Sequence, residues 1–158
     1  KLSDLALIKE PVFVRPIEDG KPFGGCILEP DMYEEWVEQI TNYQYVDLDT
    51  LVICSPIKNI LSEYRFFVVD GKVVTGSQYK RNNRLFMDNE VDPVVWEYAQ
   101  SCVDIWKPTD AFVLDIAEIK RGLKIVEVNN FNSAGYYRCR IESIVDSVER
   151  MIRDKYPH

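Results

Sequence analysis

Histidine is almost missing from this sequence: the only one, His158, is the final residue. Chain ends fray, so a Ser-His-Asp triad, a Cys-His dyad and an HExxH zinc site are all excluded. The four cysteines, Cys26, Cys54, Cys102 and Cys139, are widely spaced and form no CxxC pair, which removes the common cysteine metal and redox motifs. Cys54 and Cys102 sit in apolar runs, the setting of buried thiols, and the whole pattern suits a reducing cytoplasm. No apolar stretch approaches the roughly 20 residues that span a bilayer, and the N-terminus lacks a signal peptide's apolar core. Basic charge is in deficit, 19 Lys and Arg against 26 Asp and Glu for a net charge of −7. Neither nucleic acid nor a membrane is therefore an expected partner, although a local basic cleft stays open.

What remains is an ordinary globular composition, 46% hydrophobic and 28% charged over 158 residues. A chain of this size buries roughly two-thirds of its unfolded surface, enough for one compact domain or two small subdomains without disulfides. Pro11–Pro16 (PVFVRP) reads as a short strand, followed by the glycine-rich loop GKPFGG and an apolar CIL. Asp31 and Glu34 have capping-box spacing, and Met32, Trp36, Val37, Ile40 and Tyr43 recur on one helical face. A helix is expected from about Asp31 to Tyr43.

TLVICSP is a continuous apolar strand, and SEYRFFVVDGKVVTGSQYK holds two β-rich runs around Asp70-Gly71, a strong hairpin signal. Asp92 caps and Pro93 opens a second helix whose Val95, Tyr98, Ala99, Cys102, Val103 and Trp106 form a core stripe, ending at Pro108. AFVLDIAEI and LKIVEVNNF are strands joined by Lys120-Arg121-Gly122, which fits a three-residue hairpin loop. Ile141, Ile144, Val145, Val148 and Ile152 then mark an amphipathic helix within residues 134–156. The order β-β-α-β-β-β-α-β-β-α, with both hairpins antiparallel, predicts an α+β fold with antiparallel sheets.

Side chains alternate faces along a strand, so hairpin register brings particular residues together. If Ile119 opposes Leu123, Asp115 lies opposite Glu127, and Asn129 shares their face; a two-residue loop would break this arrangement. Two carboxylates and a carboxamide are oxygen ligands of the kind Mg²⁺ takes beside phosphates. A two-residue turn at Asp70-Gly71 sets Glu63 opposite Gln78 and Arg65 opposite Gly76, with Lys80 on the same face. Gly76 would then leave room for a ligand to approach the backbone, and the cations of one hairpin would face the carboxylates of the other. Each element also has a plain structural reading: charged residues on a half-covered sheet commonly face solvent, an Asp/Glu pair is a common edge device, and glycines and Asn129-Asn130 mark turns.

Taken in order, VFVRP, GKPFGG, TLVICSP, SEYRFFVVDGKVVTGSQYK, FVLDIA and IVEVNNFNSAGYY resemble the ATP-grasp superfamily, most closely a bacterial and phage branch of it. The most specific parts are E-x-R ahead of a hairpin, and Asp followed by E-x-N. The resemblance implies two small α+β subdomains, residues 1–55 and 56–158, with Mg-ATP held between them and a hinge near Cys54–Ile57. It implies Asp115, Glu127 and Asn129 as metal and phosphate ligands, and Arg65 and Lys80 as catalytic cations facing phosphate. Arg15, Lys21, Gly24, Gly25, Cys54, Ser55 and Glu63 fall to the nucleotide site. Arg15 stands where many relatives have a phosphate-binding lysine, and GKPFGG would be a lid whose glycines permit closure.

The implied reaction is ATP-dependent activation of a carboxylate to an acyl phosphate, attacked by an amine, on small-molecule or peptide substrates. A histidine-poor site suits it, because phosphoryl transfer asks for metal, cations and positioning. Most ATP-grasp enzymes carry a further N-terminal domain, whereas the first expected strand here opens at Pro11. Either Lys1 starts a fragment or a partner such as a second subunit completes the protein. The alternatives are a catalytically silent nucleotide-binding or interaction module, an ATP-grasp kinase acting on a hydroxyl, and a scaffold without ATP. Tyr136 and Tyr137, just beyond the E-x-N motif, either border a substrate pocket or anchor the last helix.

Overall fold

The computed structural model describes residues 1–18, 20, 22–43 and 46–157. They divide into two compact units, Lys1–Lys58 and Asn59–His158. The first is built on a three-stranded antiparallel sheet in the order β2-β1-β3, formed by β1 (Val12–Pro16), β2 (Cys26–Leu28) and β3 (Val52–Pro56). Helix α1 (Tyr33–Tyr43) follows β2. Leu2, Leu5, Val14, Phe23, Leu28 and Val46 form the core, flanked by half-buried Trp36 and Ile40. Trp36 meets Phe23 edge-on, with ring centroids 5.5 Å apart.

Three expectations need correction in this unit. Pro30–Met32 is a separate 3-10 turn ahead of α1, with no side-chain cap on it, and Met32 is exposed. Cys54 is exposed as well, because β3 leaves one face of a small sheet uncovered. A 3-10 helix at Leu2–Leu7 was not anticipated. It is fixed by tertiary contacts, with Leu2 and Ser3 backbone amides donating to the carbonyls of Thr50 and Leu48 at 3.0 Å.

The second unit is a five-stranded antiparallel sheet in the order β6-β5-β4-β7-β8. Its strands are β4 (Ile60–Val69), β5 (Lys72–Arg81), β6 (Arg84–Asp88), β7 (Ala111–Ile119) and β8 (Gly122–Asn130). Strand β6 is an addition to the expected order. Asn82 and Asn83 both adopt positive φ, 47° and 63°, giving the tight Asn-Asn turn that returns the chain along β5. Helix α2 (Pro93–Ile105) covers one face, where Tyr64, Phe66, Val68, Leu114 and Ile116 meet Val95, Ala99 and Val103. The Asp92 cap is present, its carboxylate accepting from the Val94 amide at 2.8 Å. Trp106 is not part of the core stripe; it follows the last helical residue in extended backbone and is exposed.

Helix α3 (Ile141–Lys155) serves the opposite face. Ile144 and Cys139 pack on Phe67 and Val113. The helix begins later than expected, because Tyr137 takes a positive φ of 49°. The backbone amides of Arg138 and Arg140 are also turned outward to the hydroxyls of Ser77 and Thr75. Of the expected stripe, Ile141, Val145 and Ile152 are exposed. The helix end is tied to the strand ends by Lys155, whose Nζ lies 2.8 Å from Asp70 and 2.7 Å from Asp110.

Hairpin register departs from simple counting in an instructive way. At the β4–β5 turn Val69 faces Lys72, but irregularities at Phe67/Val68 and Glu63/Tyr64 shift the pairing twice. Arg65 therefore faces Ser77, not Gly76, and Glu63 faces Lys80, not Gln78. The two slips cancel for Lys80, which keeps its expected face, but not for Gly76, which lies between them. A Cβ at Gly76 would stand 2.5 Å from the Phe66 ring, so this glycine makes room for the core and not for a ligand. In the β7–β8 hairpin the loop is two residues, with Ile119 facing Gly122, yet Asp115 still faces Glu127. Between them Ile116 faces Ile125, so Val126 is an extra residue, a bulge that restores the pairing which the shorter loop alone would break.

Candidate functional site

Alternation along the central strands divides the chemistry between the two faces of the sheet. Tyr64, Phe66 and Val68 point to α2; Glu63, Arg65 and Phe67 point the other way, joined by Val113 and Asp115 of β7. On that second face the hairpin end is apolar and seats α3. The opposite end gathers Glu63, Arg65, Lys80, Asp115, Glu127 and Asn129.

These side chains are wired to one another. Arg65 grips Asp115 with two parallel bonds, Nε to Oδ1 at 2.9 Å and Nη2 to Oδ2 at 2.7 Å, the forked geometry that makes guanidinium–carboxylate pairs strong. Its third nitrogen donates to the Gly135 carbonyl at 3.3 Å. The guanidinium lies over the rings of Tyr137 and Tyr79, 5.0 and 5.5 Å from their centroids, and those two rings stack at 4.7 Å. The Asn129 amide nitrogen donates to Glu127 Oε2 at 3.2 Å and to Asp115 Oδ2 at 3.4 Å. Alongside, Glu63 accepts from the Tyr79 hydroxyl at 2.7 Å and pairs with Lys80 Nζ at 2.8 Å.

Asp115 is only 2% exposed. Burial raises its pKa, the Arg65 guanidinium works against that rise, and the charges of Glu127 and Glu63 add to it. Hydrogen bonding to Asp115 in turn holds Arg65 still more firmly protonated. Burial, the nearby Asp115 charge and the bond to Glu63 push the Tyr79 hydroxyl well above its ordinary value, so it remains a donor to Glu63. Every buried side-chain nitrogen and oxygen among the described residues has a partner.

The donor set suits a hard divalent cation. Among the described residues no three His, Cys, Asp or Glu side chains converge as a metal site. Two carboxylates and one carboxamide on adjacent positions of β7 and β8 do, and Mg²⁺ characteristically takes one or two protein carboxylates and completes its shell with phosphate and water. To offer oxygen to a cation, the Asn129 amide must turn over, since its nitrogen now faces both carboxylates.

Six of the expected site residues thus meet in the second unit. The others lie in the first: Arg15 on β1 opposite Ile53, Cys54 opposite Val14 and Ser55 opposite Phe13 on β3. Gly24 and Gly25 lead into β2. A Cβ on Gly25 would stand 2.7 Å from the Phe13 ring, while one on Gly24 would meet nothing. Lys21 lies outside the described residues, as do the side chain of Tyr43 and His158. Sequence reasoning missed Tyr79, which reaches Glu63 only because a bulge turns it inward, and the Gly135 carbonyl. Tyr136 and Tyr137 divide the two roles considered for them: Tyr136 stacks on Phe67 of the core at 5.5 Å, and Tyr137 faces Arg65.

In sequence, residues 1–147 match an ATP-grasp domain family, the second family of its clade. No curated protein matches the chain in sequence. Among solved structures, the chain is similar to a RimK domain protein ATP-grasp from Sphaerobacter thermophilus, with a TM-score of 0.63, 19% identity, and 96% of this chain matched to 55% of that one. It is similar to D-alanine–D-alanine ligase from Bacillus anthracis complexed with ATP, with a TM-score of 0.58, 15% identity, and 98% matched to 55%. The ATP-grasp ligase PsnB, complexed with precursor peptide PsnA2 and AMPPNP, gives a TM-score of 0.52 and 16% identity, with 80% matched to 38%. The chain therefore spans little more than half of these proteins at most, and at such identities the likeness is one of fold. With the two antiparallel sheets and the family match over nearly the whole chain, this protein belongs to that ATP-grasp domain family.

Proposed function

We propose that the chain is the Mg-ATP-binding part of a ligase that activates a carboxylate as an acyl phosphate for attack by an amine. The observation carrying this reading is the convergence of Asp115, Glu127 and Asn129 with Arg65 and Lys80 on one polar end of the five-stranded sheet. In the proposed assignment Asp115, Glu127 and Asn129 would hold Mg²⁺, which when bound supplies charge neutralisation for the phosphates. Arg65 and Lys80 face the transferring phosphoryl group, and Glu63 positions Lys80 within the nucleotide site. The first subdomain, residues 1–55, adds Arg15, Lys21, Gly24, Gly25, Cys54 and Ser55 for the nucleotide; the second, residues 56–158, carries the metal ligands.

In the reaction, a carboxylate oxygen attacks the γ-phosphorus of ATP, and the bond to the β-phosphate oxygen breaks to give ADP and the acyl phosphate. The amine nitrogen then attacks the acyl carbon, expels phosphate and loses a proton to give the amide. Cations fixed by ion pairs and stacked rings suit such a step, because stabilisation comes from charges already in position. Ligases that act on D-alanine or carry a precursor peptide support small-molecule or peptide carboxylates and amines as substrates. Four free cysteines support a reducing cytoplasm, and no helix among the described residues is long and apolar enough to cross a membrane.

Calorimetric titration of Mg-ATP, repeated without Mg²⁺ and with Glu127→Ala, tests the site. Metal-dependent binding lost in the variant is the expected result; unchanged binding removes Glu127 from it. Product analysis then separates the chemistries: ADP, phosphate and an amide for the ligase, a phosphorylated hydroxyl for a kinase, and no turnover for a silent binding module.

A further inference from the structure

Asp115 cannot offer its carboxylate to a cation while Arg65 holds both oxygens, and Arg65 cannot offer its fork to a phosphate while Asp115 occupies it. The pair sits where solvent does not substitute for either partner: the side chains are 12% and 3% exposed. Asn129 closes the arrangement by donating to Asp115 and Glu127 together. The cluster is thus complete without a ligand, and each half of Mg-ATP must break it.

The two halves break it with opposite consequences. A divalent cation alone would take Asp115 and leave Arg65 charged beside a new positive charge. ATP without metal would bring its phosphates against Asp115, Glu127 and Glu63. Arriving together, they exchange partners: Arg65 passes from carboxylate to phosphate, Asp115 from guanidinium to metal, and every charge keeps an opposite neighbour. Arg65 is prepared for this exchange, since the Gly135 carbonyl and the faces of Tyr79 and Tyr137 hold its guanidinium independently of Asp115.

Resting on the proposed nucleotide site, we infer that the Arg65–Asp115 pair is a latch that couples metal and nucleotide, so that each binds weakly alone and each strengthens the other by the same factor. Tyr79, Tyr137 and Gly135 act as positioning groups, keeping the released guanidinium at the site.

The latch makes an unusual demand: removing one ligand of the assembled complex must improve binding of the other half alone. With Asp115→Asn, ATP in EDTA is expected to bind about fivefold or more tightly than to wild type, the lower end of common coupling factors. Glu127→Gln removes the same unit of negative charge without unfastening Arg65, so its gain is expected to be smaller. Reciprocally, Arg65→Met is expected to tighten Mn²⁺ binding in the absence of nucleotide, read by water-proton relaxation. Circular dichroism establishes folding, and if Arg65→Met does not fold, the near-isosteric Asp115→Asn decides. An Asp115→Asn gain no larger than that of Glu127→Gln overturns the latch. Wild-type binding of Mg-ATP with no gain in either arm overturns the latch and leaves the ligase site standing. No ATP binding by wild type or variants, in any form, overturns both.

Discussion

The two faces of the five-stranded sheet are made from the same strands, residue by residue in alternation, yet they obey different rules. Toward α2, Phe66, Val68, Leu114 and Ile116 are sealed in an apolar layer, where the cost of a change depends on volume and shape. Toward α3, the layer is apolar only around Phe67 and Val113; beyond them the site side chains are held by specific charged or hydrogen-bonding partners. Burial on the first face stabilises the fold directly. On the second it is held in balance by pairing, because a buried charge is tolerated only beside its opposite.

The sharpest way to break this comparison is to damage each face and ask what fails. Phe66→Ala removes a fully buried ring that meets Trp96 edge-on at 5.6 Å, and is expected to cost about 3–5 kcal/mol. Denaturant unfolding checks it, and Mg-ATP affinity of the folded fraction should be unchanged. Asp115→Ala is expected to match that loss at roughly 3–5 kcal/mol, since it strands Arg65 without its carboxylate, and it should also abolish Mg-ATP binding. If Asp115→Ala instead unfolds no more easily than wild type, the charged end is not structurally coupled to the sheet.

Smaller changes sharpen the contrast. Gly76→Ala drives a methyl into the Phe66 ring and should cost about 1–3 kcal/mol, whereas a glycine kept open for a ligand would show the effect in affinity. Asp92→Ala, losing the cap on α2, should cost about 1 kcal/mol with no change in ligand binding. The smallest effect concerns Cys139, which burial pushes up to about 12 from an ordinary 9.0. A raised folded value favours the protonated thiol, so its contribution is whole below pH 9 and lost as pH rises toward 12. Thermal unfolding of Cys139→Ala should therefore fall less steeply across that window than wild type's.

Much of this organisation was legible because periodicity and turn chemistry act locally. Asp92-Pro93, Asp70-Gly71 and the alternation in FVLDIA needed no tertiary knowledge. What escaped depends on contacts distant in sequence. Trp106 has helical spacing but follows the helix end, and Cys54 has apolar neighbours but lies on an uncovered face. Strand β6 was signalled by Asn82-Asn83, a pair suited to positive φ, and was overlooked because Arg81 and Arg84 flank it in place of apolar residues. In the candidate site, Glu63, Arg65, Lys80, Asp115, Glu127 and Asn129 do share a face, but the route differs: bulges, invisible to counting, shift both hairpins and then compensate.

Val126 turns that compensation into a rule about insertions and deletions. The turn at Lys120-Arg121 and the Asp115–Glu127 pairing are both satisfied with one residue to spare. A chain one residue shorter between Gly122 and Glu127 would reach the same pairing on a straight ladder, without the bend a bulge imposes. A chain one residue longer would need a second bulge, or would deliver Glu127 and Asn129 to the α2 side, among hydrophobic neighbours. Length along this stretch is therefore negotiable in one direction and hazardous in the other.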